Sequence, residues 1–388
     1  MPLSHAELLG RAAELAPVFA RRALETEQRR ALPDATVRDL VDSELLSALT
    51  PAVYGGHELP IRTMTDVVRT LSAACPSTGW VTAFYMGAAW RMMGFPARAQ
   101  QEIFAEHPYV LSAGQAAPLA DVRKVPGGYR LSGQTAWSSG SVHAEWINFM
   151  GIARDDAAGT RTPTTFIVPR ADTQFIDNWH VAGMRGTGSN DFRVDDVFVP
   201  DHRASPFRDL LVGKTAGQAL HANPMYHLPL IPFLLCEVVP VVVGTLRGAA
   251  EAFIERAKER RSTFGGTQAA TRQAMQMRVA RGLAAADAAE TLLEGYVDRY
   301  TTPRPEQDSL HDRAYMKLRG AYITDLCRNA VNDLARGFGA DGFREHSPLQ
   351  RYFRDLNMLA VHAFLDIDTA SETFGRSVLG LPPEDPLL

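Results

Sequence analysis

The sequence predicts a mostly α-helical protein with a β-domain set between two helical parts. Three observations carry this expectation. Residues 1–110 are rich in Ala and Leu at helical spacing, broken at "TPAVYGGHELP" and "ACPSTGW". From 111 to 205 the texture changes to short alternating segments, "GYRLSG", "EWINFMGIA", "TTFIVP" and "FRVDDVFVP". Gly, Pro and Asp punctuate them at the spacing of a sandwich or barrel. After a looser stretch, residues 206–388 return to long helical patterns and read as a helical bundle.

The bulk properties narrow the function classes. At 388 residues the chain is too long for one ordinary core, so two or three domains or layers are expected. A hydrophobic content of 46% with 22% charged residues is that of a soluble globular protein. The net charge of −4, with Lys and Arg dispersed, gives no nucleic-acid footprint. Cys75, Cys236 and Cys327 lie far apart without metal-ligand spacing, which points to free, buried thiols and a reducing, cytoplasmic setting. The first residues, "MPLSHAELLGRAAELAPVFARRALE", form an amphipathic pattern with charges throughout and not a signal peptide. "LPLIPFLLCEVVPVVVGTL" (228–246) has the length of a membrane span, but it holds Pro229, Pro232, Pro240 and Glu237. A helix buried on all sides of a bundle is expected there, with no membrane.

Nicotinamide chemistry is disfavoured. The literal G-x-G-x-x-G, "GFGADG" at 337–342, follows the helical run "YITDLCRNAVNDLAR" where a dinucleotide fingerprint needs a strand. "GMRGTGS" at 183–189 has the wrong spacing, and no Walker, H-E-x-x-H or G-x-S-x-G element is present.

Five motifs carry a resemblance: "YGG" (54–56), "TAWSSG" (135–140), "GMRGTGSNDFRVDDVFVP" (183–200), "RSTFGG" (261–266) and "RYFRDL" (351–356). In this order, over almost the whole chain, they resemble the acyl-CoA dehydrogenase fold: helical domain, β-barrel or sandwich, four-helix bundle. "STGWV", "SSGSVHAEW" and "GMRGTGS" are most similar to the branch of two-component flavin monooxygenases that hydroxylate phenols. The resemblance implies reduced FMN or FAD from a separate NAD(P)H-dependent flavin reductase, with O2 as co-substrate. It also implies a C4a-hydroperoxyflavin as oxygen donor, a small aromatic substrate and a homo-oligomer, a tetramer. The rival readings are an N-oxygenase of an amine, an acyl-CoA dehydrogenase with a relocated base, and a non-catalytic member of the fold.

The dehydrogenases place a glutamate base in the run matching "RDLNMLAVHAFLDID", and here that position is Ala363. Without a base, α,β-dehydrogenation has no route. His362 stands where the monooxygenase branch has its active-site histidine. Read as one helix, Leu356, Leu359, Ala360, Ala363, Phe364 and Ile367 form the core stripe. His362 then falls one turn before Asp366, with Asp355 on the same side. Asp366 is expected to orient the imidazole and favour its cation, and His362 to draw the phenol proton.

The resemblance assigns the remaining sites. Trp137 packs on the flavin ring system and Ser139 hydrogen-bonds its N5. Ser138 is the alternative, because neighbours on a strand point oppositely. Thr187, Gly188 and Ser189 lie beside the cofactor. Arg261 and Phe264 belong to a segment that reaches flavin phosphate from a neighbouring subunit. Gly337 and Gly339 of "GFGADG" approach the phosphate or adenine end across an interface. Tyr226 and His227 are substrate-pocket candidates for which packing is the commoner role. His143 and Trp146 are expected to pack within the β-domain.

Overall fold

The computed structural model describes residues 2–114, 117–261, 266–304, 309–385 and 388. Its first helices are α1 (His5–Arg29), α2 (Asp34–Asp42), α3 (Ile61–Ala74), α4 (Pro76–Met92) and α5 (Ala97–Ile103). A capping box starts α1: Ser4 accepts the Glu7 N–H while the Glu7 carboxylate accepts the Ser4 N–H. Between α3 and α4 stands one extended residue, Cys75 (φ −152°, ψ 106°). Pro76 forces that conformation on its predecessor and then serves as the first residue of α4.

Among the described residues eight strands follow: β1 (Ser112–Gly114), β2 (Ala120–Val125), β3 (Gly128–Ser138), β4 (Trp146–Asp155), β5 (Thr160–Pro169), β6 (Gln174–Ile176), β7 (Asn190–Pro200) and β8 (Ala204–Pro206). They form one sheet in the order β6-β7-β3-β2-β4-β5-β8, with β1 beside β4. β1 and β2 run parallel to β4, and the other pairs are antiparallel. Alternate residues, among them Leu131, Ile147, Phe149, Phe166, Val168, Phe192 and Val194, are buried together. The sheet curls around them until β5 meets β7 and β3 meets β4.

The chain then forms α6 (Phe207–Leu211), α7 (Leu230–Glu259), α8 (Gln273–Thr301), α9 (Leu310–Ala335), α10 (Gly339–Gly342), α11 (Pro348–Leu359) and α12 (Ile367–Val378). α7, α8, α9 and α11 pack on one another, and α12 packs on α9. α7 is long and apolar enough to cross a membrane, but it is buried between the bundle and α3 and α4. The three cysteines are free and buried.

One expected element is absent in the form anticipated. The helix through His362 ends at Leu359, and α12 begins only at Ile367. Asp366 is the reason for the restart: its carboxylate accepts the Thr369 N–H at 2.7 Å as the N-cap of α12.

Candidate active site

The site forms where β3, the loop before β7, α4 and the α11–α12 link converge. β3 pairs with β7 irregularly between Thr135 and Ser138, and in that bulge Trp137 takes a left-handed conformation (φ 54°). The carboxylate of Asp191 stabilises it, accepting the Trp137 N–H at 3.1 Å, Gln134 Nε2 at 2.6 Å and Asn178 Nδ2 at 2.8 Å. The result is a Trp137 that is 58% exposed, followed by two inward residues, Ser138 at 0% and Ser139 at 5%. The bulge interrupts the strand alternation before Ser138 and both serines are buried, so alternation alone does not choose between them.

The serines differ in their partners. Ser138 Oγ is buried without a hydrogen-bond partner among the described residues. Ser139 Oγ accepts the Trp80 Nε1–H at 2.8 Å and lies 2.9 Å from Ser189 Oγ. Ser189 Oγ is 2.7 Å from Thr187 Oγ1, which donates to the Met184 carbonyl at 2.9 Å. Three hydroxyls thus form a buried chain between an indole N–H and a backbone carbonyl.

The loop carrying Thr187, Gly188 and Ser189 is anchored by the "RYFRDL" motif of α11. Asp355 Oδ1 accepts the Met184 N–H at 2.6 Å, and Arg354 bridges the Ala182 carbonyl to Glu27 of α1. Burial pushes the Asp355 carboxyl up to about 6. Gly188 needs its left-handed φ of 53°, and its carbonyl accepts the Ser141 hydroxyl at 2.6 Å. Asp355 thus holds the loop instead of lying beside His362.

His362 occupies the turn after α11. Its ring stands edge-on to Trp80 with centroids 5.5 Å apart, and 5.5 Å from Phe364. Desolvation by these neighbours holds its pKa down, to about 4. The expected cation stabilised by Asp366 is corrected here: Asp366 caps α12, and the imidazole is neutral at pH 7. Its Nδ1 accepts the Phe364 N–H at 3.3 Å, which leaves the proton on Nε2.

Behind Trp80, the Phe84 ring lies tilted at 45° with centroids 5.1 Å apart, and the Arg91 guanidinium lies 5.8 Å from the Phe84 ring. Arg91 donates to the Phe84 carbonyl at 3.1 Å and pairs with Glu237 of α7. Glu237 is fully buried, and desolvation, only partly offset by Arg91, pushes its carboxyl up to about 7. Its Oε2 has no hydrogen-bond partner among the described residues.

Other sequence candidates lie elsewhere. Tyr226 is fully buried and donates its hydroxyl to the Leu49 carbonyl at 2.9 Å. It packs in the core, the commoner of the two roles considered for it. His227 is exposed, with Nε2 2.8 Å from the His221 carbonyl. His143 reaches out of the β-domain to Asp34 at 2.9 Å, whereas Trp146 lies under the Arg203 guanidinium. Arg261 is exposed and its backbone bridges Gln268. Phe264 lies outside the described residues. The "GFGADG" loop wraps Arg260 of the same chain: the Gly337 carbonyl accepts from Nη1 at 3.0 Å, and a side chain at Gly339 (φ 64°) would overlap the guanidinium. The sequence reading gave no site role to Trp80, Phe84, Arg91, Glu237 or Asp191, although it quoted the motifs holding Trp80 and Asp191 and named Glu237. α4 is buried on nearly all faces, so no periodicity singles out its functional side chains.

The residues fit a flavin. An exposed indole offers a flat apolar face, an adjacent hydroxyl with a free lone pair suits a ring N–H, and the orphaned Ser138 hydroxyl is a further polar atom beside them. The comparisons with known proteins agree. Residues 237–367 match the family model "Acyl-CoA dehydrogenase, C-terminal domain". The chain is 58% identical over 388 residues to a pigment production hydroxylase of Rhodococcus sp. (strain ATCC 21145), covering 100% of both chains. It is 31% identical over 391 residues to the FADH(2)-dependent resorcinol hydroxylase, oxygenase component, of Rhizobium sp. (strain MTP-10005), covering 98% of this chain and 96% of the other. The crystal structure of the HsaA monooxygenase from M. tuberculosis superposes with a TM-score of 0.91 at 30% identity, covering 100% of each chain. With whole-chain identity to these oxygenases and a site suited to flavin, the chain belongs to the flavin-dependent monooxygenase oxygenase components of the acyl-CoA dehydrogenase fold.

Proposed function

We propose that this chain hydroxylates a small phenolic compound with reduced FMN or FAD from a separate NAD(P)H-dependent reductase, as a cytoplasmic homotetramer. The observation that carries the reading is the meeting of His362, Trp80 and Ser139, from three distant segments, beside the exposed Trp137. Resorcinol, named for one relative, is itself a phenol. Bound reduced flavin supplies the electrons that activate O2.

The chain's residues bind and orient. Trp137 packs on the ring system, Ser139 or Ser138 meets its N5, and Thr187, Gly188 and Ser189 line the same edge. His362 sets the charge on the substrate oxygen. With Nδ1 engaged by the Phe364 amide, the ring is prepared to donate Nε2–H to a phenolate more than to take a proton. A hydrogen bond to the anion makes the ring carbons ortho and para to that oxygen more nucleophilic. Arg261 contributes to the flavin phosphate end from a neighbouring subunit, Gly337 and Gly339 approach the phosphate or adenine end across an interface, and Phe264 is a further cofactor-binding candidate.

The test supplies the protein with reductase, NADH and ¹⁸O2 over a panel of phenols and amines. One ¹⁸O atom on the ring carbon of a phenol is expected. Label on nitrogen only, or no label with any substrate, refutes the reading. Sedimentation should give a tetramer or at least a dimer, and a monomer that binds reduced flavin tightly contradicts the shared site.

A further inference from the structure

The hydroxyl chain has a direction. Met184 ends it with a carbonyl, which can only accept, and Trp80 begins it with an indole N–H, which can only donate. Thr187 gives its proton to Met184, so the proton between Thr187 and Ser189 comes from Ser189. Ser189 is then without a proton for Ser139, and Ser139 must donate to Ser189. Each hydroxyl has one proton, so this arrangement satisfies all three. Ser139 Oγ is left with its proton turned away, one lone pair held by Trp80 and one lone pair free.

A lone pair without a proton discriminates between the two redox states of a flavin. Reduced flavin carries a proton on N5 and can donate to it. Oxidised flavin presents a bare N5, and two acceptors facing each other gain nothing. We propose that Ser189 and Thr187 are positioning residues that fix the polarity of Ser139 and so make the site select reduced over oxidised flavin. Such selection suits an oxygenase that receives flavin reduced and must let it go oxidised. The inference rests on the reading that Ser139 meets N5.

Two substitutions change the polarity from different ends. Ser189→Ala removes the acceptor of the Ser139 proton and frees it to turn toward a bare N5. Thr187→Val leaves Ser189 only Ser139 as a hydroxyl partner, so Ser189 can donate to Ser139 and free the Ser139 proton to turn toward a bare N5. Ser139→Ala removes the contact altogether, and Ser189→Thr keeps a hydroxyl in the chain.

The measurement is binding without turnover: equilibrium ultrafiltration of oxidised FMN and FAD in air, and of the dithionite-reduced forms under nitrogen. Wild type should bind the reduced form more tightly. In Ser189→Ala and Thr187→Val the ratio of oxidised to reduced Kd should fall roughly tenfold, the worth of one hydrogen bond gained or lost, and Ser189→Thr should keep the wild-type ratio. A merely structural role would weaken both forms alike. If Ser139→Ala weakens reduced-flavin binding while both polarity variants keep the wild-type ratio, the proposal is overturned and the placement of Ser139 survives. If Ser139→Ala changes neither affinity, the placement of Ser139 at N5 is wrong and the proposal falls with it.

Discussion

Replacing His362 by glutamine and by alanine separates its protonation from its role. Its pKa is held near 4, against about 6.5 for a free imidazole, because the ring lies among Trp80 and Phe364 with no carboxylate beside it. A difference of that size is worth roughly 2–3 kcal/mol once partial contact with water is allowed for. The sign follows from proton counting. The unfolded chain takes up a proton at this residue as pH falls through about 6.5, while the folded protein resists until about 4. Stability from this residue is therefore full above about 6.5, is lost progressively down to about 4, and stays lost below. Glutamine cannot titrate, so His362→Gln should lose less stability than wild type over that window. Urea midpoints of ligand-free protein at half-unit steps of pH read the difference. A wild type that instead gains on His362→Gln as pH falls would show a cation stabilised in the fold and refute the desolvation account. Catalysis gives the second arm. His362→Ala should lose about 10²- to 10⁴-fold in hydroxylation and release the missing product as hydrogen peroxide. Glutamine retains an N–H donor, so His362→Gln should keep more activity than alanine if the ring donates to phenolate. Equal losses would return the residue to the role of proton acceptor. Raising the pH until the substrate ionises by itself should restore part of the alanine variant's turnover in either case.

Ser139→Ala should raise the ratio of peroxide to product roughly tenfold, as expected for one lost hydrogen bond of 1–2 kcal/mol, measured by catalase-coupled oxygen uptake. Ser138→Ala removes an unpartnered buried hydroxyl and should leave both coupling and stability intact, and the opposite outcome exchanges the two assignments. Asp355 has its pKa raised by burial to about 6, so the folded state holds a proton that the unfolded state has already released between about 4 and 6, and stability falls as pH rises through that window. Asp355→Asn keeps an acceptor for the Met184 N–H and should gain on wild type by roughly 2–3 kcal/mol from pH 4 to 7 in denaturant titrations, whereas Asp355→Ala should lose stability at all pH values and uncouple turnover. Burial raises the Glu237 carboxyl to about 7, so wild-type stability falls as pH rises from about 4.5 to 7; Glu237→Gln cannot titrate and leaves Arg91 without its carboxylate, so its cost relative to wild type should be smaller at pH 8 than at pH 5, read from thermal midpoints.

The order of helices, strands and helices was legible because each change of period covers tens of residues. The site was legible only in part. "TAWSSG" marked the right turn, but it lies on a bulge at Trp137 that is held by Asp191, more than fifty residues along the chain. Spacing within β3 carries no sign of it. The hydroxyl chain joins Ser139 to residues from a loop and from α4, and no local pattern in an all-buried helix such as α4 identifies the one indole that turns toward the β-domain. At His362 the apolar stripe from Leu356 to Ile367 fits an unbroken helix, and that periodicity misled. The competing signal was present in "DIDT", where Asp366 precedes Thr369 by three residues as an N-cap does. An Asp at that position can support a histidine one turn earlier or start a new helix, but not both with one geometry. The cap prevailed because it satisfies an otherwise unpaired backbone N–H at the start of α12, and it frees His362 from the helix. Removing the counter-charge is also what lets Trp80 and Phe364 hold the ring neutral. The break in the helix and the low pKa of the histidine thus have one origin, the carboxylate of Asp366 turned to the backbone of the next helix.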